Sequence, residues 1–158
     1  MITIIPSLEI MKAVVDNNIS SPSSQLRRIA FDTATNLMSL GDIQILIEGI
    51  LYDKLKHKLN DDHKTFFTSL YRIDNSAKDV TDYDITKAIK WIANSESNSR
   101  RVVIISENIK DYESICNDSI KCFSPPQFLG LVEKAQHYYK VKMFSTLEDS
   151  LIAVFFFD

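Results

Sequence analysis

Four aspartates fall where an α/β chain does its chemistry. Asp16 closes the apolar run of "KAVVDNNIS". Asp53 lies one turn into the helix expected after Ile43–Ile47, in "ILIEGILYDKL". Asp84 stands in "TDYDITKAI", with Asp82 beside it, at the start of a helix. Asp111 lies just beyond "RVVIIS", with Glu107 nearby. If the strands are parallel with right-handed crossovers, several of these acids converge on one edge of the sheet, the edge where open α/β sheets bind ligands. Carboxylates sharing a pocket repel one another unless a cation sits among them. Mg2+ and Mn2+ are hard cations that prefer such oxygen ligands and often bridge to phosphate. The chemistry this implies is metal-assisted hydrolysis of a phosphodiester.

Each acid also has a structural reading. Asp16 is an ordinary turn former. Asp84 and Asp111 suit the first turn of a helix, where a negative charge gains roughly 0.3–1 kcal/mol, and Asp82 suits an N-cap. Asp53 has Lys56 and His57 within reach on its own helix. The basic residues Arg27, Arg28, Lys54, Lys56 and Lys58 form solvated faces or, in a nuclease, sequence-independent phosphate contacts. Tyr83, Trp91 and Tyr112 pack in the core or rim, or stack on unpaired bases. The histidines lack zinc-ligand spacing.

The elements that must position these side chains follow from alternation of short β-rich runs with helical stripes, which predicts a three-layer α/β/α domain with a mainly parallel sheet. The expected strands are Ala13–Asp16, Ile43–Ile47, Leu70–Ile73, Arg101–Ser106, Ile120–Phe123 and the tail Leu151–Phe157. Leu26, Ile29, Thr33, Leu37 and Leu40 recur at helical spacing after Ser-Ser-Pro-Ser-Ser. Ile85, Ala88, Ile89 and Ile92 form a second stripe, with 94–99 as a polar loop after it.

At 158 residues the chain accommodates one domain. Its expected core runs from about 12 to 133, with extensions at 1–11 and 134–158. The apolar N-terminus carries Pro6 and Glu9 and reads as neither signal peptide nor membrane span. Three glycines leave no room for a phosphate-cradling glycine loop, which argues against P-loop and dinucleotide-binding folds. A formal charge of −3 argues against broad nucleic-acid binding through an overall positive field. Cys116 and Cys122 are too few for a disulfide framework and read as reduced cytosolic thiols.

From Lys12 to about Glu133 the chain resembles PIN domains, metal-dependent ribonuclease domains that include VapC-type toxins. "AVVDNNIS" is similar to their opening strand, and "GDIQILIEGILYDKL" to their second strand and helix, with Asp53 where a Glu is usual. "YDITKAIKWIA" resembles the helix bearing the third acid. "VVIISENIKDYESICNDSIKCFSPPQFLGLV" resembles the closing strand, loop and helix. The resemblance implies an endoribonuclease using Mg2+ or Mn2+, with RNA as substrate and an antitoxin or a second copy as protein partner. It assigns catalysis to Asp16, Asp53, Asp84 and Asp111, metal ligation to Asp16, Asp84 and Asp111, and supporting roles to Asn18, Ser106 and Asn108. The residues also allow a non-catalytic PIN-like binding module, or a receiver-like phosphoacceptor using Asp16, Ser106 and Lys121.

Overall fold

The computed structural model describes residues 1–16, 19–82 and 84–157. Among these, β1 (Ile2–Pro6), β2 (Ile43–Glu48), β3 (Arg72–Asp74), β4 (Arg101–Ile105) and β5 (Ile120–Phe123) form one five-stranded parallel sheet, ordered β3-β2-β1-β4-β5. The helices are α1 (Leu8–Val15), α2 (Pro22–Leu37), α3 (Gly49–Leu55), α4 (Asp61–Leu70), α5 (Ile85–Glu96), α6 (Pro125–Lys140) and α7 (Leu147–Phe156). They flank the sheet in the three-layer α/β/α arrangement that the alternating runs imply. No helix among the described residues is long and apolar enough to cross a membrane.

The centre of the sheet is the N-terminal run "ITIIP", not an extension outside the core. All of β1 is buried, and it pairs with β2 through Ile2↔Ile43 and with β4 from Ile2↔Arg101 to Pro6↔Ile105. A strand covered on both faces reads as a near-continuous apolar run, which β1 breaks only at Thr3 and β4 only at its first residue, Arg101. Ala13–Asp16, expected as the opening strand, is instead the end of α1 and its C-cap residue. Ile10, Met11, Ala13 and Val15 are buried, and the helix packs on α2. Four residues cannot separate a period of 2 from one of 3.6.

The tail departs from expectation for a related reason. Leu151–Phe156 is helical, although β-branched and aromatic residues favour strands where packing permits. Thr146 caps α7 by accepting from the Asp149 N–H at 3.0 Å, with Glu148 and Asp149 in the first turn. The Ser150 hydroxyl donates to the Ala135 carbonyl at 2.6 Å, and the Phe155 ring lies 5.7 Å from both Phe123 and Phe128. These contacts lock α7 onto α6 and β5. Similarly, α5 continues through 94–96, where the polar composition suggested a loop.

That extra turn brings Glu96 to an ionic cluster near the amino ends of the strands. Glu96 accepts from the Thr3 hydroxyl at 3.0 Å and from Arg72, while Arg100 Nε lies 3.9 Å from it. Arg100 also donates to Thr3 Oγ1 and to the Asp42 carboxylate, each at 2.9 Å. The cluster joins β1, β3, the approach to β2 and α5. At the opposite end of β2 the chain turns tightly: a Cβ at Gly49 would meet Asn75 Oδ1 at 2.1 Å and the Asp74 carbonyl at 2.9 Å.

Candidate active site at the carboxyl edge

The strand order places a switch point between β1 and β4, since the chain leaves β1 towards β2 and leaves β4 towards β5. Loops diverge there, and open parallel sheets bind ligands in the resulting crevice. Pro6 and Ile105 are register partners, so Ser7 and Ser106 emerge side by side. The Ser7 N–H donates to the Ile105 carbonyl, and the Ser106 N–H to the Phe123 carbonyl, both at 3.0 Å.

A cavity of ≈ 280 Å³ opens at this point. It is lined by Leu8 and Glu9 of α1, Lys54 of α3, Asp84, Ile85 and Thr86 at the start of α5, and Ser106, Asn108, Asp111 and Tyr112 beyond β4. Local capping sets most of these positions. Asp84 is the N-cap of α5, and its Oδ1 accepts from the N–H groups of Thr86 at 2.9 Å and Lys87 at 3.4 Å. Its Oδ2 stays outside the cap. Glu9 sits in the first turn of α1 and accepts from the Ser7 hydroxyl at 3.1 Å.

Beyond β4, Ser106 Oγ accepts from the Asn108 N–H at 3.0 Å, and the Asp111 N–H donates to the Asn108 carbonyl at 3.1 Å. These bonds open the 3-10 helix Ile109–Ile115, with Asp111 in its first turn. Tyr112 is buried behind it and lines the cavity beside Thr86. Burial pushes its ionisation well above the ordinary phenol range, so it remains neutral.

Asp84, Asp111, Ser106 and Asn108, singled out from sequence, thus share one cavity with Lys54. Two other acids do not join them. Asp16 is the C-cap residue of α1, not the end of a strand, and it does not line the cavity. Asp53 is half-exposed and held by Lys56 at 3.1 Å and by Lys78. Hydrogen bonds from Lys78 and then Lys56 keep its carboxyl below the usual range. Asn18 and Tyr83 lie outside the described residues.

Among the basic candidates, Arg27 is paired with Glu107 at 2.9 Å and Lys56 with Asp53, while Arg28 and Lys58 are exposed. The receiver-like reading loses its frame: that fold orders its strands 2-1-3-4-5, and here the order is β3-β2-β1-β4-β5.

Sequence reasoning missed Glu9, because 1–11 was set outside the core. The signal was present as a Ser-x-Glu helix start directly after an apolar run. It also missed Glu48, the fully buried acid that ends β2. Both Glu48 oxygens accept backbone N–H groups, from Ile50 at 2.9 Å and Leu51 at 2.8 Å, capping α3. Burial pushes its carboxyl up, against the lowering effect of those N–H groups and Lys78.

No family model, curated protein or solved structure matches this chain. The site must therefore be read from its own chemistry. The order of the strands is that of the first five in dinucleotide-binding sheets. Yet the turn after β1, Pro6-Ser7-Leu8-Glu9, has no glycine and sets a carboxylate at the helix start, which repels a pyrophosphate. Beside Lys54, the cavity instead collects carboxylates, the hydroxyls of Thr86 and Ser106 and the Asn108 amide. These are hard oxygen donors suited to Mg2+ or Mn2+ rather than zinc. Among the described residues no group of three or more His, Cys, Asp or Glu side chains is gathered tightly enough to cage a metal. Mg2+ does not require a cage, because it commonly takes one or two carboxylates and completes its shell with water and phosphate. Asp84 and Asp111 both line the cavity.

Proposed function

We propose that this chain is a Mg2+- or Mn2+-dependent endoribonuclease of PIN type, acting at the cavity between β1 and β4. The observation that carries the reading is the sharing of one cavity by Glu9, Asp84 and Asp111, which come from three separate parts of the chain. Asp84 and Asp111 hold the cation, with Glu9 as a further carboxylate. When bound, the cation supplies Lewis-acid polarisation of the scissile phosphate. The remaining work falls to the chain itself. Lys54 offsets the acidic field and attracts a phosphate, a contact that positions RNA without reading its sequence. Ser106 Oγ accepts from Asn108, so its own proton is available to a substrate oxygen.

The test is cleavage of mixed RNA by the purified chain in Mn2+, with and without EDTA. Cleavage in Mn2+ that stops with the chelator is the expected result. Cleavage that survives EDTA, or none in Mn2+, removes the reading. A second reading, a non-catalytic RNA-binding module, draws on the lack of a caged metal group among the described residues. RNA retained uncut in Mn2+ favours it.

A further inference from the structure

Of the aromatic residues that the sequence left open between packing and base stacking, Tyr112 is buried, whereas Trp91 is 39% exposed on α5. Its indole has no ring contact or hydrogen bond among the described residues. The helix around it is cationic. Lys87 and Lys90 are the basic residues of α5, and neither side chain has an ion pair or hydrogen bond among the described residues. Glu96, the only acid within the helix, is buried in the cluster near the amino ends of the strands. Among α1 to α7, α5 is thus the only helix whose accessible charged side chains are all positive, in a chain of formal charge −3.

This helix starts at the carboxyl-edge cavity, since its N-cap is Asp84. Lys87 and Trp91 are four residues apart and lie one above the other on its surface. Trp91 stands seven residues beyond Asp84, about 10 Å along the axis. At the roughly 3.4 Å rise of a stacked strand, that distance is about three nucleotides. Unpaired ammonium groups suit phosphates, and an open indole face suits an unpaired base of any identity. A base inside a duplex is already stacked on its neighbours and offers no face to the indole.

We propose that the α5 face of Lys87, Lys90 and Trp91 is a subsite for the strand that flanks the cut. Trp91 stacks on an unpaired base about three nucleotides from the scissile phosphate, and the two lysines hold phosphates between them. This rests on RNA being the substrate of the cavity, and adds the path by which the strand leaves it and the reason that path must be single-stranded.

Trp91 is the only tryptophan in the chain, so its fluorescence reports the contact directly. The probe is labelled single-stranded oligoadenylate, added to the full chain in EDTA. Binding should quench the tryptophan emission, and the same strand paired with oligouridylate should not. By fluorescence polarisation, Trp91→Ala should bind the single strand about tenfold more weakly, a stacking-sized loss, and Trp91→Phe should recover most of it. Lys87→Ala and Lys90→Ala should each reduce the slope of log affinity against log salt by about 0.7, which a merely structural role would not do. Oligoadenylate bound or cut without quenching, quenching by the duplex as strong as by the single strand, or equal binding by Trp91→Ala overturns the subsite and leaves the nuclease reading standing. Quenching without cleavage in Mn2+ supports the subsite and removes the nuclease reading. Oligoadenylate that does not bind overturns the subsite, and cleavage in Mn2+ then judges the nuclease reading on its own.

Discussion

Asp84→Asn should abolish metal-dependent RNA cleavage while leaving the fold intact, with a rate loss of roughly 10²–10³-fold, the equivalent of several kcal/mol of charge stabilisation. The substitution separates the two tasks of this side chain. Asparagine caps a helix about as well as aspartate, so the bonds from Thr86 and Lys87 survive through its carbonyl oxygen. What disappears is the anionic charge and the second carboxylate oxygen. Thermal melting should therefore barely move. Asp84→Ala removes the cap as well and should also cost about 0.5–2 kcal/mol of stability. Asp16→Asn is the contrasting variant, since Asp16 caps the far end of α1 and does not line the cavity. It should retain cleavage. If Asp16→Asn is dead and Asp84→Asn is active, the site lies elsewhere.

The largest stability effect is expected from Glu96→Ala, a loss of about 3–5 kcal/mol in urea unfolding. Glu96 is 9% exposed and accepts from Thr3 and Arg72, with Arg100 beside it. Truncation leaves the Arg72 and Arg100 guanidinium groups without the acid they share, and the buried Thr3 hydroxyl without its acceptor. Water reaches Arg72, whose side chain is 44% exposed, which moves the loss towards the lower end. Glu96→Gln keeps an acceptor for Thr3 and should cost less. A loss below about 1 kcal/mol for the alanine variant would mean that the cluster contributes little beyond surface pairing.

Much of the architecture was legible because buried parallel strands read as near-continuous apolar runs. "RVVII" and "IQILIE" announce themselves on that ground. "ITIIP" carries the same signal, but it lies within the 1–11 stretch expected as an extension. That displacement moved the opening strand to "AVV" and with it the first acid to Asp16. The acids after α5's start and after β4 were legible because helix capping is local: Asp84 and Asp111 hold their places through bonds to neighbours within three residues.

Asp53 was not legible in the same way. Its fate depends on Lys78, which lies 25 residues away and reaches it only once β3 has formed beside β2. The tail misled because "LIAVFFF" has strand composition, whereas Thr146 and the first-turn acids set a helix that α6 can cover.

Titration calorimetry with Mn2+ on the wild-type chain and on Asp84→Asn tests most directly whether the carboxyl-edge cavity is a metal site. A saturable heat at millimolar metal in the wild type, absent from the variant, is the predicted result. Equal binding by the two proteins, or no binding by either, would contradict it.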